Sequence, residues 1–443
     1  MKRVGTALLV VALLVGVLST GYVNAALQIV GDANGDGRVN NRDLGYLQQV
    51  LNNDGAADDT ADLNGDNKVN NQDLGVLLQT LNGEERVRML SPATTYTVLG
   101  TPSAEYYPTN NLARCVWDMA ILGDRLYVGC GDYSKNSGES PILSCPLDDL
   151  GNWTVETTIP DEQVGRFINI NGVLTIPGFD PVGAPLYGSY YERLDGEWVQ
   201  QEMLPYGLHN FDIAWFQGRM YAALGADSGE YPIAYTEDGV TYETLPLYKN
   251  GVLVDTSNGA QVRSMNLYVL NDDLYADFWH HDASTGIAAF EMYHYNVEED
   301  RFEYIADLKT STHGGKYSPA HLPLWEKTAM NDKMFLTTGY LFYTTDFEQY
   351  TQVTMPNDAV VYDMQAFGGR LYLLTACETE GTYKVTVYST TAADPTDLRV
   401  EATYTYGVAP TSFAVNESNF FIGMGNWYGS GSAENGTVLQ IKR

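Results

Sequence analysis

Two short stretches of the sequence carry oxygen-bearing side chains at a spacing that suits a hard cation. The first reads DANGDGRVNNRD from Asp32, and the second reads DLNGDNKVNNQD from Asp62. Calcium takes about six to eight oxygen ligands, which one loop can supply from its positions 1, 3, 5, 7, 9 and 12, with the backbone carbonyl at position 7. The sequence therefore predicts two calcium ions, bound by Asp32, Asn34, Asp36, Arg38, Asn40 and Asp43 in one loop and by Asp62, Asn64, Asp66, Lys68, Asn70 and Asp73 in the other.

A second set of chemically active side chains lies in the large remainder of the chain. Arginine can neutralise the carboxylate of a uronic acid while histidine or tyrosine removes the neighbouring proton, which is the chemistry of polysaccharide β-elimination. Arg114, Arg166 and Arg263 each stand where a predicted strand begins. The candidate catalytic residues are His209, His280, His313, Arg263 and Tyr317.

Carboxylates offer an alternative chemistry, because two of them suffice for glycoside hydrolysis. Asp118, Asp212 and Asp363 occur in one repeated phrase, WDM, FDI and YDM, each five residues before the first residue of a predicted hairpin signal. A repeated phrase at a fixed position favours a structural role, in which each Asp forms hydrogen bonds between neighbouring repeats.

Two adjacent histidines, His280 and His281, lie near Asp277 and Asp282 and could be considered for a metal site. Adjacent side chains on a strand point in opposite directions. The pattern therefore argues against both imidazoles binding one ion.

The elements that must position the calcium ligands are two helices, one after each loop. Leucines recur at helical spacing in both copies, as Leu44, Leu47 and Leu51, then Leu74, Leu77, Leu78 and Leu81. We expect the two helices to pack against each other through these faces.

A pair of EF-hands is the obvious alternative. However, an entering helix does not fit between Asp32 and Ala25, where a signal peptide is predicted to end, and position 12 is Asp where an EF-hand has Glu. The segment from Val30 to about Gly83 instead resembles a type I dockerin. The resemblance rests on the duplicated loops and on the VNN-D-DLG-L core of each copy. It implies calcium-dependent binding to a cohesin domain of a cellulosome-type scaffold, in two orientations related by a half-turn. It also implies that loop positions 10 and 11 help select the partner: Asn41, Arg42, Asn71 and Gln72.

The elements that must position the second set are strands. A hairpin signal, two turn residues flanked by β-formers, recurs seven times, beginning with GDRLYV at Gly123. It alternates with an outer strand that opens on an aromatic and often ends at proline, as in Trp153 to Pro160 and Trp198 to Pro205. Four strands in about fifty residues, repeated, predict a seven-bladed β-propeller. The stretch from Tyr96 to Pro102 supplies an outer strand that the last repeat lacks, and we expect it to close the ring.

The propeller topology brings distant residues to one face. The segments after the second and fourth strands of each blade emerge at the same face. By this assignment five of the chain's six histidines lie there, in neighbouring blades: His209, His280, His281, His313 and His321. The long connections 247–263 and 309–322 lie in the same sector, and long loops often carry function.

The N-terminus and the charge restrict where the protein acts. Lys2 and Arg3 precede an apolar run from Ala7 to Leu18, with small residues up to Ala25, which is typical of a secretory signal peptide and too short for a membrane anchor. The expected organisation is signal peptide 1–25, dockerin 26–86 and propeller 91–443. The formal charge of -31 makes nucleic acid and anionic membranes unsuitable partners. We therefore expect a secreted component of a polysaccharide-degrading complex, or alternatively a non-catalytic propeller that binds glycan or protein there.

Four cysteines, Cys115, Cys130, Cys145 and Cys377, allow three full disulfide pairings in a secreted protein. A bridge between Cys130 and Cys145 on neighbouring strands is one expectation.

Overall fold

The chain divides into two compact units, Met1–Leu90 and Ser91–Arg443. The computed structural model describes residues 33, 41–52, 61, 63, 69–81, 93–132, 138–182, 187–205, 207–226, 230–256, 261–282, 287–308, 326–337, 339–426 and 431–443. Within these residues, no helix is long and apolar enough to cross a bilayer.

The first unit contains two helices, α1 (Asn41–Asn52) and α2 (Asn71–Leu81). Asn70 caps α2, because its Oδ1 accepts a hydrogen bond of 2.8 Å from the backbone N–H of Gln72. Leu47 and Leu77 are fully buried in one core, which confirms the expected packing of the two helices. Leu78 was expected on the same face, but it is 41% exposed, because it lies on the outer side of α2 one residue beyond Leu77.

The second unit is built of sheets whose strand pairs are antiparallel, with one parallel pair in the largest sheet. In chain order its strands are β1 (Thr97–Gly100), β2 (Asp118–Leu122), β3 (Arg125–Gly129), β4 (Ser140–Pro146), β5 (Thr154–Ile159), β6 (Ile168–Ile170), β7 (Val173–Pro177), β8 (Tyr187–Leu194), β9 (Glu197–Pro205), β10 (Gly207–Phe216), β11 (Arg219–Ala226), β12 (Ile233–Thr236), β13 (Glu243–Thr244), β14 (Leu247–Lys249), β15 (Val252–Leu253), β16 (Gln261–Leu270), β17 (Asp273–Asp282), β18 (Ile287–Asn296), β19 (Arg301–Asp307), β20 (Glu326–Met330), β21 (Lys333–Thr337), β22 (Leu341–Thr344), β23 (Thr351–Val353), β24 (Val360–Phe367), β25 (Arg370–Thr379), β26 (Thr382–Thr390), β27 (Arg399–Tyr406), β28 (Pro410–Val415), β29 (Asn419–Met424) and β30 (Val438–Lys442).

Each predicted hairpin is present in these strands, from β2–β3 to β28–β29. The turn residues adopt positive φ, as at Asn171 (52°), Gln217 (46°) and Asn331 (55°). Asparagine reaches this conformation more readily than most residues, and such turns match the twist of the flanking strands. The local signal therefore gave the correct strand pairs.

Five of the sheets are four-stranded and arranged as propeller blades. The remaining strands form one ten-stranded sheet, so the expected seven separate blades are seen only in part. Within that sheet, β10–β13 and β16–β19 each run as a meander, and β11 meets β16 at a single residue pair, Gly225 opposite Arg263. The connection 247–263, expected to be a loop, forms the hairpin β14–β15, which pairs with β19.

The first strand closes the ring of sheets, as expected. Strand β1 pairs with β30 in the last sheet. Leu99 of β1 packs in a buried cluster that joins the first and last four-stranded sheets, together with Met119, Val128, Phe421 and Val438. Similar apolar cores lie between the other neighbouring sheets.

The second unit encloses a cavity of 660 Å³. It is lined by residues of β2, β6, β10, β16, β20, β24 and β28. We call the end of the unit that holds the hairpin turns, for example Asn171 and Gln217, the hairpin face. The opposite end, where the second strand of each hairpin ends, is the loop face, and it includes Asp132, Asp180 and His209.

The expected disulfide between Cys130 and Cys145 is not formed, and all four cysteines are free. Cys145 lies opposite Leu126 in the β3–β4 ladder, whereas Cys130 lies just beyond the far end of β3. The two thiols are therefore separated along the strands although the strands are neighbours.

Candidate functional site on the loop face

His209 stands at the loop face near the start of β10. Its Nδ1 lies 2.7 Å from the carbonyl oxygen of Phe179 and 3.9 Å from Oδ1 of Asp180. A hydrogen bond from Nδ1–H to a carbonyl fixes the neutral imidazole with its lone pair on Nε2. The ring also stacks on Phe211, with the centroids 5.2 Å apart. The surroundings of His209 therefore orient it as a proton acceptor through Nε2.

Gly225 brings His209 and Arg263 to the same place. The strand registers put Gly225 opposite both residues, one on each side of β11. A Cβ on Gly225 would lie 2.7 Å from Cδ2 of His209, so a side chain there would displace the imidazole. Arg263 lies beside Trp279, with its guanidinium carbon 5.7 Å from the ring centroid. The strand registers therefore place His209 and Arg263 on either side of Gly225, and their catalytic role stays a prediction.

The carboxyl group of Asp180 lies beside His209, and three further carboxyl groups lie close to Asp180 or to one another. Asp132, Asp161 and Glu162 are almost completely buried, whereas the side chain of Asp180 is 30% exposed. Backbone hydrogen bonds hold them together: the N–H of Glu162 donates to the carbonyl of Asp180 (3.0 Å), and the N–H of Asp132 donates to the carbonyl of Glu162 (2.9 Å). The hydroxyl of Tyr191 donates to Oδ2 of Asp161.

The crowding of acids changes their protonation. Burial and, after it, the three neighbouring carboxylates together raise the pKa of the Glu162 carboxyl to about 8. Burial also raises the pKa of Asp161 to about 6, against the effect of the Tyr191 hydrogen bond. Burial raises the pKa of Asp180, while Arg263 and the protonated form of His209 lower it. The site therefore combines protonated and ionised carboxyl groups at neutral pH, which is an arrangement suited to acid–base chemistry.

Sequence reasoning did not identify these acids. Asp161 and Glu162 directly follow the outer strand that ends at Pro160, and Asp180 follows β7. Both are connections of the kind that the propeller topology sends to the loop face. The positions could therefore have been selected by the same rule that selected His209.

The other predicted members of the site are distributed differently. Arg114 donates to the carbonyls of Tyr107 and Pro108 and has a local structural role. His280 lies in β17 opposite Val262, next to the pair of Arg263 and Trp279. The side chain of His280 lies outside the described residues, and so do His313 and Tyr317.

Arg166, predicted to stand where a strand begins, lies just before β6 and lines the cavity. Its Nη1 forms an ion pair with Oδ1 of Asp212 at 3.1 Å, and Nζ of Lys327 contacts Oδ2 of the same carboxylate. Lys327 also donates to the carbonyl of Leu267. A single buried carboxylate thus connects β6, β10, β16 and β20.

The repeated aspartates have the structural role predicted for them. Asp118 accepts a hydrogen bond of 2.6 Å from the N–H of Phe167, and Asp212 accepts one of 2.8 Å from the N–H of Leu267. Each bond joins the first strand of one hairpin to the first strand of the next. Asp363 accepts a bond from Phe413 in the same way.

One of the two carboxylates considered for a metal site with His280 and His281 already has other hydrogen-bond partners. Asp277 is buried and already accepts hydrogen bonds from Asn266 Nδ2 and the hydroxyl of Tyr268, both at 2.8 Å. Within the part of the chain that the structure describes, no group of three or more His, Cys, Asp or Glu residues is arranged to bind a metal ion.

In the first unit, the final ligand of each predicted calcium loop is placed alike. Asp43 and Asp73 both lie in the first turn of a helix and are 0% exposed. Oδ2 of Asp73 accepts a hydrogen bond of 2.7 Å from the N–H of Asn70. Buried oxygen donors at equivalent positions fit a hard cation. The predicted ligands Asp32, Asn34, Asp36, Arg38, Asn40, Asp62, Asn64, Asp66 and Lys68 lie outside the described residues.

Comparison with known proteins agrees with this assignment. Residues 30–82 match the family model of the dockerin type I domain, so this segment is a type I dockerin domain. No curated protein sequence matches the chain.

Solved structures resemble the chain only distantly. Saccharomyces cerevisiae Sqt1 is 11% identical, with coverage of 80% of this chain and 99% of that one and a TM-score of 0.42. The GH93 α-L-arabinofuranosidase of Fusarium graminearum is 14% identical, covering 79% and 98%, with a TM-score of 0.40. The polysaccharide lyase Uly1 is 7% identical, covering 75% and 90%, with a TM-score of 0.40. Similarity at this level identifies no reaction or substrate for this chain.

Proposed function

We propose that this protein is an extracellular component of a cellulosome-type complex, attached to a scaffold by its dockerin and acting on polysaccharide through its propeller. The observation that carries the attachment is the dockerin match of residues 30–82. The apolar run from Ala7 to Leu18 supports export.

The docking step would depend on two calcium ions, one in each loop. Asp43 and Asp73 would complete the two coordination shells at the helix starts. Arg42, Asn71 and Gln72 are exposed there, and with Asn41 they would contact the cohesin and help select it. Because the two copies are so alike, the cohesin could bind in either of two orientations.

A pull-down with a panel of type I cohesins tests the docking step. We expect the full chain to bind at least one cohesin in calcium and to be released by a chelator. The double variant Asp43→Ala, Asp73→Ala should not bind, while Asp195→Asn, an exposed change in the propeller, should bind normally. Binding that persists in excess chelator would contradict this role for calcium.

The propeller would have seven blades, with the ten-stranded sheet counted as two. The single contact between β11 and β16 supports this division, since each side is otherwise a complete four-stranded meander. The site would be the loop face, where His209, Asp180 and Arg263 converge beside Glu162.

The proposed reaction is acid–base cleavage of a glycosidic linkage. His209 could accept a proton at Nε2, because Nδ1 is held by the Phe179 carbonyl. Glu162 could donate a proton, because its carboxyl is protonated at neutral pH. Arg263 would stabilise negative charge that develops nearby. The same groups could serve elimination or hydrolysis.

An activity survey tests the proposal. The full chain in calcium is incubated with plant and algal polysaccharides, and both new reducing ends and absorbance of unsaturated products are followed. We expect one signal to rise on at least one substrate. If neither rises while affinity gels show retardation, the propeller is a non-catalytic binding module, and the enzymatic proposal is wrong.

A further inference from the structure

Three consecutive residues on the loop face each carry a buried oxygen without a hydrogen-bond partner. They are Oδ1 of Asp161, Oε2 of Glu162 and Oε1 of Gln163. Their residues are 0%, 2% and 1% exposed. We call these three residues the acceptor cluster. A buried polar atom left without a partner is destabilising, so three together in one short segment require an explanation.

All three atoms are of the same chemical kind. A carboxylate oxygen and an amide oxygen accept hydrogen bonds, and a protonated carboxyl group has a single hydrogen to donate. Asp132 and Asp180 add further carboxyl oxygens beside Glu162, as the electrostatic effect of both on Glu162 shows. A ligand that satisfies the cluster must therefore bring donors for Asp161 and Gln163, and a group that can either donate to Glu162 or accept its single hydrogen.

Two ligand classes fit poorly. A uronate brings a carboxylate that only accepts hydrogen bonds. The negative charge of that carboxylate would meet the negative charge of the site's carboxyl groups, where Arg263 is the nearby cation. Like charges placed together at a binding site oppose binding. A metal ion is disfavoured because, among the described residues, these acids are not arranged as a metal site.

Sugar hydroxyls fit both requirements, because they donate hydrogen bonds and carry no charge. Resting on the polysaccharide-acting function proposed above, we infer that the loop-face site takes an uncharged, hydroxyl-rich glycan and rejects polyuronates. The acceptor cluster binds the sugar hydroxyls.

This substrate class also selects between the two reactions. Elimination removes a proton that is acidic because a uronate carboxylate stands beside it, and an uncharged sugar lacks that group. In hydrolysis the bond between the anomeric carbon and the glycosidic oxygen breaks, water gives its hydroxyl to the carbon, and its proton ends on the oxygen. The inferred reaction is therefore hydrolysis.

The test compares binding of neutral and anionic oligosaccharides to the full chain in calcium at low ionic strength. Oligomers of arabinan, xylan and galactan represent the neutral class, and oligogalacturonate represents the anionic class. We expect at least one neutral oligomer to bind more than about tenfold tighter than oligogalacturonate. The variant Asp180→Asn should reduce this preference, because it removes a negative charge from the site.

Asp195→Asn is the matched control, since it removes the same charge from an exposed turn between β8 and β9 on the hairpin face and should leave the preference unchanged. Oligogalacturonate binding as tightly as every neutral oligomer would overturn the inference while leaving the proposed function intact. Binding and cleavage of none of the glycans would overturn the proposed function itself.

Discussion

His209 and its neighbours define what the site can do at the scale of single residues. The imidazole is held by a carbonyl on one side and by the Phe211 ring on its face, and glycine at position 225 leaves the space for it. Positioning by three different strands and loops is how a rigid scaffold fixes a reactive group.

The first prediction concerns this imidazole. His209→Gln should lower kcat/KM on the responsive polysaccharide by about 100-fold or more, because a positioned acid–base group contributes about that much. His294→Gln provides the control. His294 lies away from the site, and its Nε2 is 2.9 Å from Oδ1 of an exposed aspartate, Asp273. Equal loss of activity in both variants, with unchanged thermal stability, would show that His209 has no particular role.

The second prediction concerns the cavity. Lys327→Met should lower the free energy of unfolding by about 3 kcal/mol, because Asp212 is 1% exposed and would retain Arg166 alone as an ionic partner. Lys333→Met removes a lysine whose partner, Asp332, is 65% exposed, and it should change stability by less than about 1 kcal/mol. Chemical denaturation of both variants measures the difference. Similar losses would mean that the buried ion pair contributes no more than the surface pair.

The division between predicted and unpredicted residues has a physical cause. Calcium ligands and hairpin turns are encoded within a dozen consecutive residues, so their chemistry can be read locally. The contact of His209 with Asp180 and the burial of Glu162 depend on which loops meet after the sheets pack. The sequence could select the face on which such residues lie, but Arg166 shows its limit: it begins a strand as Arg263 does, yet it points into the cavity.

At the scale of elements, β1 has only four residues but a large structural role. It is the strand by which the last sheet is completed, far from its neighbours in the sequence. Since alternate residues of a strand face opposite sides, adjacent positions of β1 should respond differently to truncation.

The third prediction uses that difference. Leu99→Ala should lower the free energy of unfolding by about 2–4 kcal/mol, because Leu99 is 8% exposed in the core between the first and last sheets. Val98→Ala, one residue away and 54% exposed, should change it by less than about 0.5 kcal/mol. Equal effects in denaturation experiments would indicate that β1 does not close the ring in solution.

The helices illustrate the same contrast between local and tertiary information. Their existence and their buried leucines follow from the 3.6-residue period, and Leu47 and Leu77 behave accordingly. Leu78 does not, because hydrophobicity alone does not fix its position on the helix. Gln48 stands at the equivalent position in the first copy and is also exposed.

At the scale of the whole propeller, carboxyl groups from several sheets face one another in the cavity. Burial raises the pKa of Asp118 to about 8, and it also raises the pKa of Glu326 and Asp363. These acids come from β2, β20 and β24, so their interaction exists only in the assembled ring.

The fourth prediction follows from the sign of these shifts. A carboxyl group whose pKa is higher in the folded state than in the unfolded chain, where it is about 4, favours folding when protonated. Its contribution is complete below pH 4 and is lost as the pH rises toward about 8. Asp118→Asn keeps the hydrogen-bond acceptor for Phe167 and should flatten the decline of Tm between pH 5 and about 8. An unchanged pH profile would mean that Asp118 does not titrate in that range.

Among the described residues of the second unit, a glycan has two candidate sites: the acceptor cluster with His209 on the loop face, and the 660 Å³ cavity lined by the first strands. A crystal structure of the full chain with an oligosaccharide from a responsive polysaccharide distinguishes them most directly. We predict sugar hydroxyls within hydrogen-bond distance of Glu162 and of His209 Nε2. Sugar found only in the cavity, against Asp118 and Glu326, would contradict it.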